Sequence, residues 1–488
     1  MVSGLDESGL QLLRQEHEAY KKTARARRRA WAIVPGRSLL VLFLLATLSA
    51  YLLRYQRGTV TEPGRALRLA GLLVLLLALS KALHQGLRLD PAAAVLPVAL
   101  GAAVLAIAYE QRLALALGSI LAVLTALQLR ADLSAGLLLV AAVLATVAQL
   151  REVRTRSKLV RVACVTAGAL LIVVLADAAA TGVPWRFAFF RALWAGGAAV
   201  LAGFLVQGVL PLVEYVFRIA TSMTLLEWCD ASKPLLKRLA MKAPGTYNHS
   251  LQLGSMCETA AEAIGARGLL ARVGAYYHDI GKTNKPAYFI ENESDSASKH
   301  AKLSPAMSLL IIIAHVKDGL EMAREYGLPH ELREFIATHH GTTLVQYFYH
   351  AAAEQRKSDA DRAPDEVEFR YPGPKPHSRE AAILMLADAA ESSVRAMDEP
   401  TPGRIENQVH TMVSRRLMDG QLDECGLTLK EVHQIEGSLI KSLCSIYHGR
   451  IAYPTPAGQK PSAAERTAAA KQAAGEGKPV GTQPADGQ

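Results

Sequence analysis

The sequence predicts an all-α protein, a polytopic helical membrane bundle followed by an all-helical soluble domain. Three observations predict it. Roughly the first 220 of the 488 residues are rich in Leu, Ala and Val and divide into stretches long enough to cross about 30 Å of hydrocarbon. From Pro244 to about Pro454, apolar residues recur at helical spacing between Gly and Pro punctuation. No segment shows the strict apolar–polar alternation of a half-buried strand. A chain of 488 residues is also too long for one ordinary core, so two or more units are expected.

In chain order, residues 1–37 form a polar, basic segment around KKTARARRR (Lys21 to Arg29). Such a block reads as a cytoplasmic anchor, because positive charge is retained on the cytoplasmic side. Residues 38–218 form the bundle. Apolar stretches run from Leu39 to Leu53, then over about 66–85, 91–109, 113–129, 133–150 and 158–178, with a last one from Phe187 past Phe204. Trp185, Phe187, Phe189 and Phe190 read as an interfacial aromatic belt. The segment from Gly208 to Arg218, with Pro211 and Glu214, is expected to leave the bilayer as an amphipathic connector. This gives about seven spans. The basic N-terminus and the basic residues after the last span (Arg218, Lys233, Lys237, Arg238) both favour the cytoplasm, which requires an even number.

Residues 219–243 read as a helical link broken at Pro234, and 244–454 as the soluble domain. A charged, proline-containing insert over about 354–378 is expected to be a surface loop. The tail over 455–488, dominated by Ala, Gly, Lys, Gln and Pro, is expected to be disordered. The formal charge of +10 fits basic membrane flanks or an anionic ligand and does not imply a nucleic acid polymer. The five cysteines contain no Cys-x-x-Cys pair, which excludes a zinc finger or a disulfide scaffold.

The chemistry gathers in the soluble domain. His249 is followed by His278-Asp279, then His315, the pair His339-His340, and Asp388, each within or at the end of an apolar helical run. A polar side chain at the edge of a core is costly unless something satisfies it. Imidazole and carboxylate suit divalent metals. Seven ligands exceed the need of one tetrahedral ion and suit two, with the two-oxygen carboxylate of Asp279 as the natural bridge.

The order H…HD…H…HH…D, with APGTYNHS, LLARVGAYYHDIGK, YFIEN, KLSPAMSLLIIIAHVKDG, THHGTTLVQYFYH and FRYPGPKPHSRE, closely resembles the seven-transmembrane-receptor HD family of the HD-domain phosphohydrolase superfamily. Those proteins are membrane-anchored cyclic di-AMP phosphodiesterases. The likeness covers roughly 205–453, with a general match over the membrane region. It implies an HD-type metal phosphohydrolase domain in which His249, His278, Asp279 and Asp388 hold one metal. His315, His339 and His340 hold the other, with Asp279 shared. It implies two divalent ions, manganese or iron, and opening of cyclic di-AMP to pApA by a two-metal-activated hydroxide.

The implied partners are a cyclic dinucleotide and the lipid bilayer of the bacterial inner (plasma) membrane, with the HD domain cytoplasmic and a homodimer allowed for. Members usually carry a large extracytoplasmic domain after the first span; here only Arg54 to Arg65 stand in its place. The Gly-Tyr-Pro signature that follows the paired histidines in related cyclic di-GMP enzymes is replaced by Gly-Thr-Thr.

Lys282, one turn past His278, is expected to ground a substrate phosphate, with a plain surface lysine as the competing reading. Tyr288, Phe289, Tyr347 and Tyr349 would either stack an adenine or fill the core. The other nine histidines, among them His300 and His410, read as structural. Lys81 and Arg191 are expected to snorkel near span ends, whereas Asp177 and Gln207 lie deeper. The alternatives are an HD phosphohydrolase of another nucleotide (cyclic di-GMP, ppGpp or a dNTP) and a nucleotide-binding membrane receptor without turnover.

Overall fold

The computed structural model describes residues 7–21, 24–55, 63–150, 153–292, 299–357 and 364–448. The proposed tail at 455–488 lies outside them. Among the described residues the only β pairing is an isolated bridge between Leu344 and Arg370; everything else regular is helical.

The N-terminal half comprises α1 (Glu7–Lys21), α2 (Ala24–Tyr55), α3 (Pro63–Lys81), α4 (Val95–Ala108), α5 (Gln111–Leu129), α6 (Leu133–Gln149), α7 (Arg156–Thr181) and α8 (Trp185–Phe217). Six helices are long and apolar enough to cross a membrane, and α6 is a shorter apolar one. Together they make seven, an odd number, so the even count that two cytoplasmic ends require is not met by the described helices.

Helix α4 forms the middle of the bundle, with Val95, Val98, Ala102 and Leu105 fully buried. Its small residues let α8, α5 and α6 pack closely around it. Gly203 of α8 serves the same end, since a Cβ there would collide with that of Ala163 on α7. The segment from Gly208, expected to be a connector, continues α8, which runs unbroken through Pro211 for 33 residues, about 50 Å at the α-helical rise. Arg191 pairs with Asp177 at 3.2 Å rather than reaching outward alone, and Ser134 donates to the same carboxylate. The deeper Gln207 donates back to Gly203 O within its own helix.

After α8 come α9 (Ser222–Trp228) and α10 (Pro234–Lys242), then α11 (Pro244–Ala263), α12 (Gly268–Tyr277), α13 (Pro305–Glu325), α14 (His330–Thr338), α15 (Gln346–Lys357), α16 (Arg379–Arg395), α17 (Pro402–Met418) and α18 (Leu429–His448). Leu253, Val273, Phe335, Leu384, Val409 and Leu439, each from a different helix, meet in one core. The segment that joins the two halves is pinned to that core. Glu331 accepts from Ala220 N, and Arg267 donates to Ala220 O and to Glu331. The Arg267 backbone N–H reaches Glu380 on α16.

The insert expected to be a surface loop is only partly one. Val345 N donates to Phe369 O and Tyr371 N to Thr343 O, so backbone pairing holds this stretch against the end of α14. Phe369 and Tyr371 are thereby buried.

Candidate metal centre

Five helices bring one or two polar residues each to a common point. His249 projects from α11, His278 and Asp279 from the C-terminal end of α12, His315 from the middle of α13, His339 and His340 from the C-terminal end of α14, and Asp388 from α16. Gly281 lets the α12 end meet α13, because a Cβ there would overlap the His315 carbonyl oxygen. Only glycine tolerates so close an approach between backbones.

The ligating atoms of His249, His278 and Asp279 lie within 4.8 Å of one another, as do those of His315, His339 and His340. Asp279 stands between the two groups. Its Oδ2 is 3.1 Å from His278 Nε2, and its Oδ1 is 3.4 Å from His315 Nε2 and 3.5 Å from His339 Nε2. His315 Nε2 and His339 Nε2 are 3.2 Å apart. Separations of about 3.0–3.5 Å are the edges of a coordination polyhedron with bonds of about 2.0–2.2 Å. His278 Nε2 and Asp279 Oδ1 are nevertheless buried with no hydrogen-bond partner. Such orphaned atoms are expensive in a core unless a ligand engages them. The donor set therefore fits divalent metal.

The far side of each ring fixes its tautomer. The Nδ1 of His278 lies 2.7 Å from Ala275 O, that of His315 2.5 Å from Ile312 O, and that of His339 3.0 Å from Ile336 O. A carbonyl can only accept, so Nδ1 carries the proton and each Nε2 offers its lone pair inward. For His249 the same service comes from a carboxylate: Glu391 Oε2 is 2.9 Å from its Nδ1, while Asp388 Oδ1 is 3.1 Å from its Nε2.

Charge in the site follows from these contacts. Burial opposes ionisation of Asp279, but the neighbouring His278 and Lys282 outweigh it and hold the carboxyl well below the usual range. Burial likewise opposes charge on His249, yet hydrogen bonds to the carboxylates of Asp388 and Glu391 push it up to about 9. Burial takes His315 down to about 3 and holds His340, crowded by His339 and His315, well below its ordinary value. In the absence of metal His249 is thus a cation between two carboxylates, and loading a metal on its Nε2 must displace a proton.

Lys282, expected either to ground a phosphate or to be a plain surface lysine, is engaged by two carboxylates. Its Nζ lies 2.7 Å from Asp279 Oδ2 and 2.8 Å from Glu291 Oε1, and these carboxylates raise its pKa despite burial. Phe289 is buried against His315 and under Lys282, Tyr349 packs on Phe369, Tyr288 packs on His300, and Tyr347 is exposed. None of these four stacks on the metal-ligand candidates except Phe289. Two residues escaped the sequence reading. Glu391 lies three residues after Asp388, on the same face of α16, a spacing that points to it in retrospect. Tyr371 stacks on His340 with ring centroids 4.2 Å apart; it comes from the insert, where no periodicity marks it.

A buried, helix-borne His/Asp cluster with two groups meeting at one carboxylate could hold divalent metal, and its make-up is that of an HD domain. A family model for the HD domain matches residues 246–392, and one described as a 7TM receptor with intracellular HD hydrolase matches residues 31–221. The two matches lie side by side along the chain, which is thus similar to membrane-borne HD proteins in both halves. It is 48% identical over 259 residues to the cyclic-di-AMP phosphodiesterase PgpH of Bacillus subtilis and 43% identical over 268 residues to that of Listeria monocytogenes. Those matches take in 52% and 54% of this chain and 36% of each relative, so the chain spans about a third of the length of the curated relatives it matches. The crystal structure of the Listeria PgpH HD domain in complex with cyclic di-AMP is 41% identical, with 45% of this chain and all of that chain covered at a TM-score of 0.42.

Proposed function

We propose that this protein is a membrane-anchored phosphodiesterase that opens cyclic di-AMP to pApA, lowering the second messenger. The observation that carries the reading is the placing of Asp279, whose two oxygens face two separate histidine groups. The relatives named cyclic-di-AMP phosphodiesterase support the substrate.

In this reading His249, His278, Asp279 and Asp388 hold one divalent ion, manganese or iron, and His315, His339 and His340 hold the second, with Asp279 shared. When bound, such ions lower the pKa of water and neutralise charge on a phosphoryl group. The chain's own residues arrange that chemistry. Backbone carbonyls and Glu391 aim the imidazoles. Lys282 holds Asp279 Oδ2 and compensates its charge, leaving Oδ1 directed at His315 and His339. Lys282 is then a positioning residue for Asp279, itself held by Glu291. Tyr371 closes one side of His340 and keeps its ring in plane.

The domain division proposed is a basic segment to residue 37, a bundle to 218, a link to 243 and the HD domain to 454, with the HD domain on the cytoplasmic side of the bacterial plasma membrane. The test is turnover by full-length, manganese-loaded protein in detergent with cyclic di-AMP, cyclic di-GMP, ppGpp and a dNTP side by side. Preferential conversion of cyclic di-AMP to pApA is expected. Preference for the triphosphate, or binding without turnover by metal-replete protein, would contradict it.

A further inference from the structure

A cavity of about 350 Å³ is walled by α17, the start of α15 and the paired insert. Its cations differ in how they are satisfied. Arg370 is clamped by Glu366 at 2.6 Å and Asp419 at 2.9 Å, and Arg415 donates to Gln346. The Arg416 side chain has no hydrogen bond or ion pair among the described residues, and its Nε is buried without a partner. Burial weighs against its charge, and Asp388 is the acid whose field supports it most, ahead of Asp419, with Tyr371 also in range. Arg416 lines the cavity alongside Arg370, whose neighbour in the chain, Tyr371, stacks on His340 at the edge of the metal centre. A guanidinium whose Nε is buried without a partner is costly unless a ligand completes it. Its planar fork of donors matches the oxygens of a phosphate.

A cyclic dinucleotide has two phosphodiesters, and only the one seated at Asp279 can be opened. Resting on the functional reading above, we infer that Arg416 is a substrate-binding residue that takes the second, uncleaved phosphodiester of the ring, with the cavity beside it receiving that half of the substrate. The assignment separates two demands. Asp279 and its histidines meet the phosphate that reacts, and Arg416 meets the one that does not. A substrate with a single phosphodiester has nothing to place there.

The experiment compares full-length wild type with Arg416→Gln on cyclic di-AMP and on bis(p-nitrophenyl) phosphate, which has one phosphodiester. A charge-assisted contact of this kind predicts a rise in KM for cyclic di-AMP of roughly 10- to 100-fold, with hydrolysis of bis(p-nitrophenyl) phosphate within about twofold of wild type. Arg416→Lys, which keeps the charge and loses the fork, should recover part of the KM. Met418→Trp, at an exposed position on the cavity wall, should raise the same KM by obstruction and serves if Arg416→Gln does not fold. Equal losses on both substrates would overturn the assignment by making Arg416 a support of the metal centre, and so would unchanged kinetics in Arg416→Gln. A wild type active on bis(p-nitrophenyl) phosphate but inert on cyclic di-AMP would instead overturn the functional reading, and the assignment with it.

Discussion

In the membrane bundle the buried Ser80 hydroxyl donates to Leu76 O one turn back, and Thr146 meets Thr166 across two helices. In the HD domain, by contrast, His278 Nε2 and Asp279 Oδ1 are buried with no partner. Both regions are helices around an apolar core. In hydrocarbon, polar groups must be satisfied from within, so most of those in the bundle add structure and nothing more. Single unpartnered atoms occur in both regions, Thr125 Oγ1 in the bundle and Ser308 Oγ in the HD domain among them, but only in the HD core do open acceptors gather with other ligating side chains, where five helices converge. The difference separates polar residues that serve the fold from those that await a ligand.

The strongest way to break this comparison is to remove the shared acceptor. Asp279→Ala should lower turnover of cyclic di-AMP by at least about 10³-fold, measured by chromatography of the linear product. Near-normal turnover would mean the open acceptors are incidental. A smaller effect is expected one layer out. Glu391→Gln weakens the contact that orients His249 and should reduce metal affinity roughly 10- to 100-fold, with activity restored by excess manganese.

The protonation of His249 sharpens the comparison further. In metal-free protein it is held near 9, above its ordinary 6.5. Stability from that cation is complete below about pH 6.5 and is lost as pH rises through about 9. Metal competes with the same proton, so metal affinity should change in the opposite sense and grow with pH over that window. Thermal melts of apo and manganese-loaded protein from pH 6 to 9.5 should diverge with rising pH; parallel curves would refute the shared proton. The smallest effect belongs to the bundle. Thr166→Val removes only the contact to Thr146; it should change stability by about 1 kcal/mol or less, and turnover in detergent should not change.

Much of the HD half was legible because its chemistry sits at the ends of apolar helical runs, as at HD in AYYHDIGK and HH in FIATHHG. Helix packing alone then brings those ends together. The residues that were not legible act from outside the helical pattern or through partners distant in sequence. Tyr371 reaches His340 only because backbone pairing with Thr343 and Val345 carries the insert inward. Lys282 lies on the right turn but is held by Glu291, nine residues on, which no spacing rule assigns. In the bundle the apolar stretches were plain. The unbroken run of α8 was not, because Pro211 normally marks a kink or an end and here sits inside a long continuous helix.

The central claim is that one carboxylate joins two metal sites. Elemental analysis of full-length protein purified without oxygen, set beside Asp279→Ala prepared identically, tests it most directly. The account predicts about two ions per wild-type chain, one for each of its two groups of three ligands, with Asp388 beside the first, and near-complete loss of both in the variant. A single ion per wild-type chain, or two ions retained by Asp279→Ala, would contradict it.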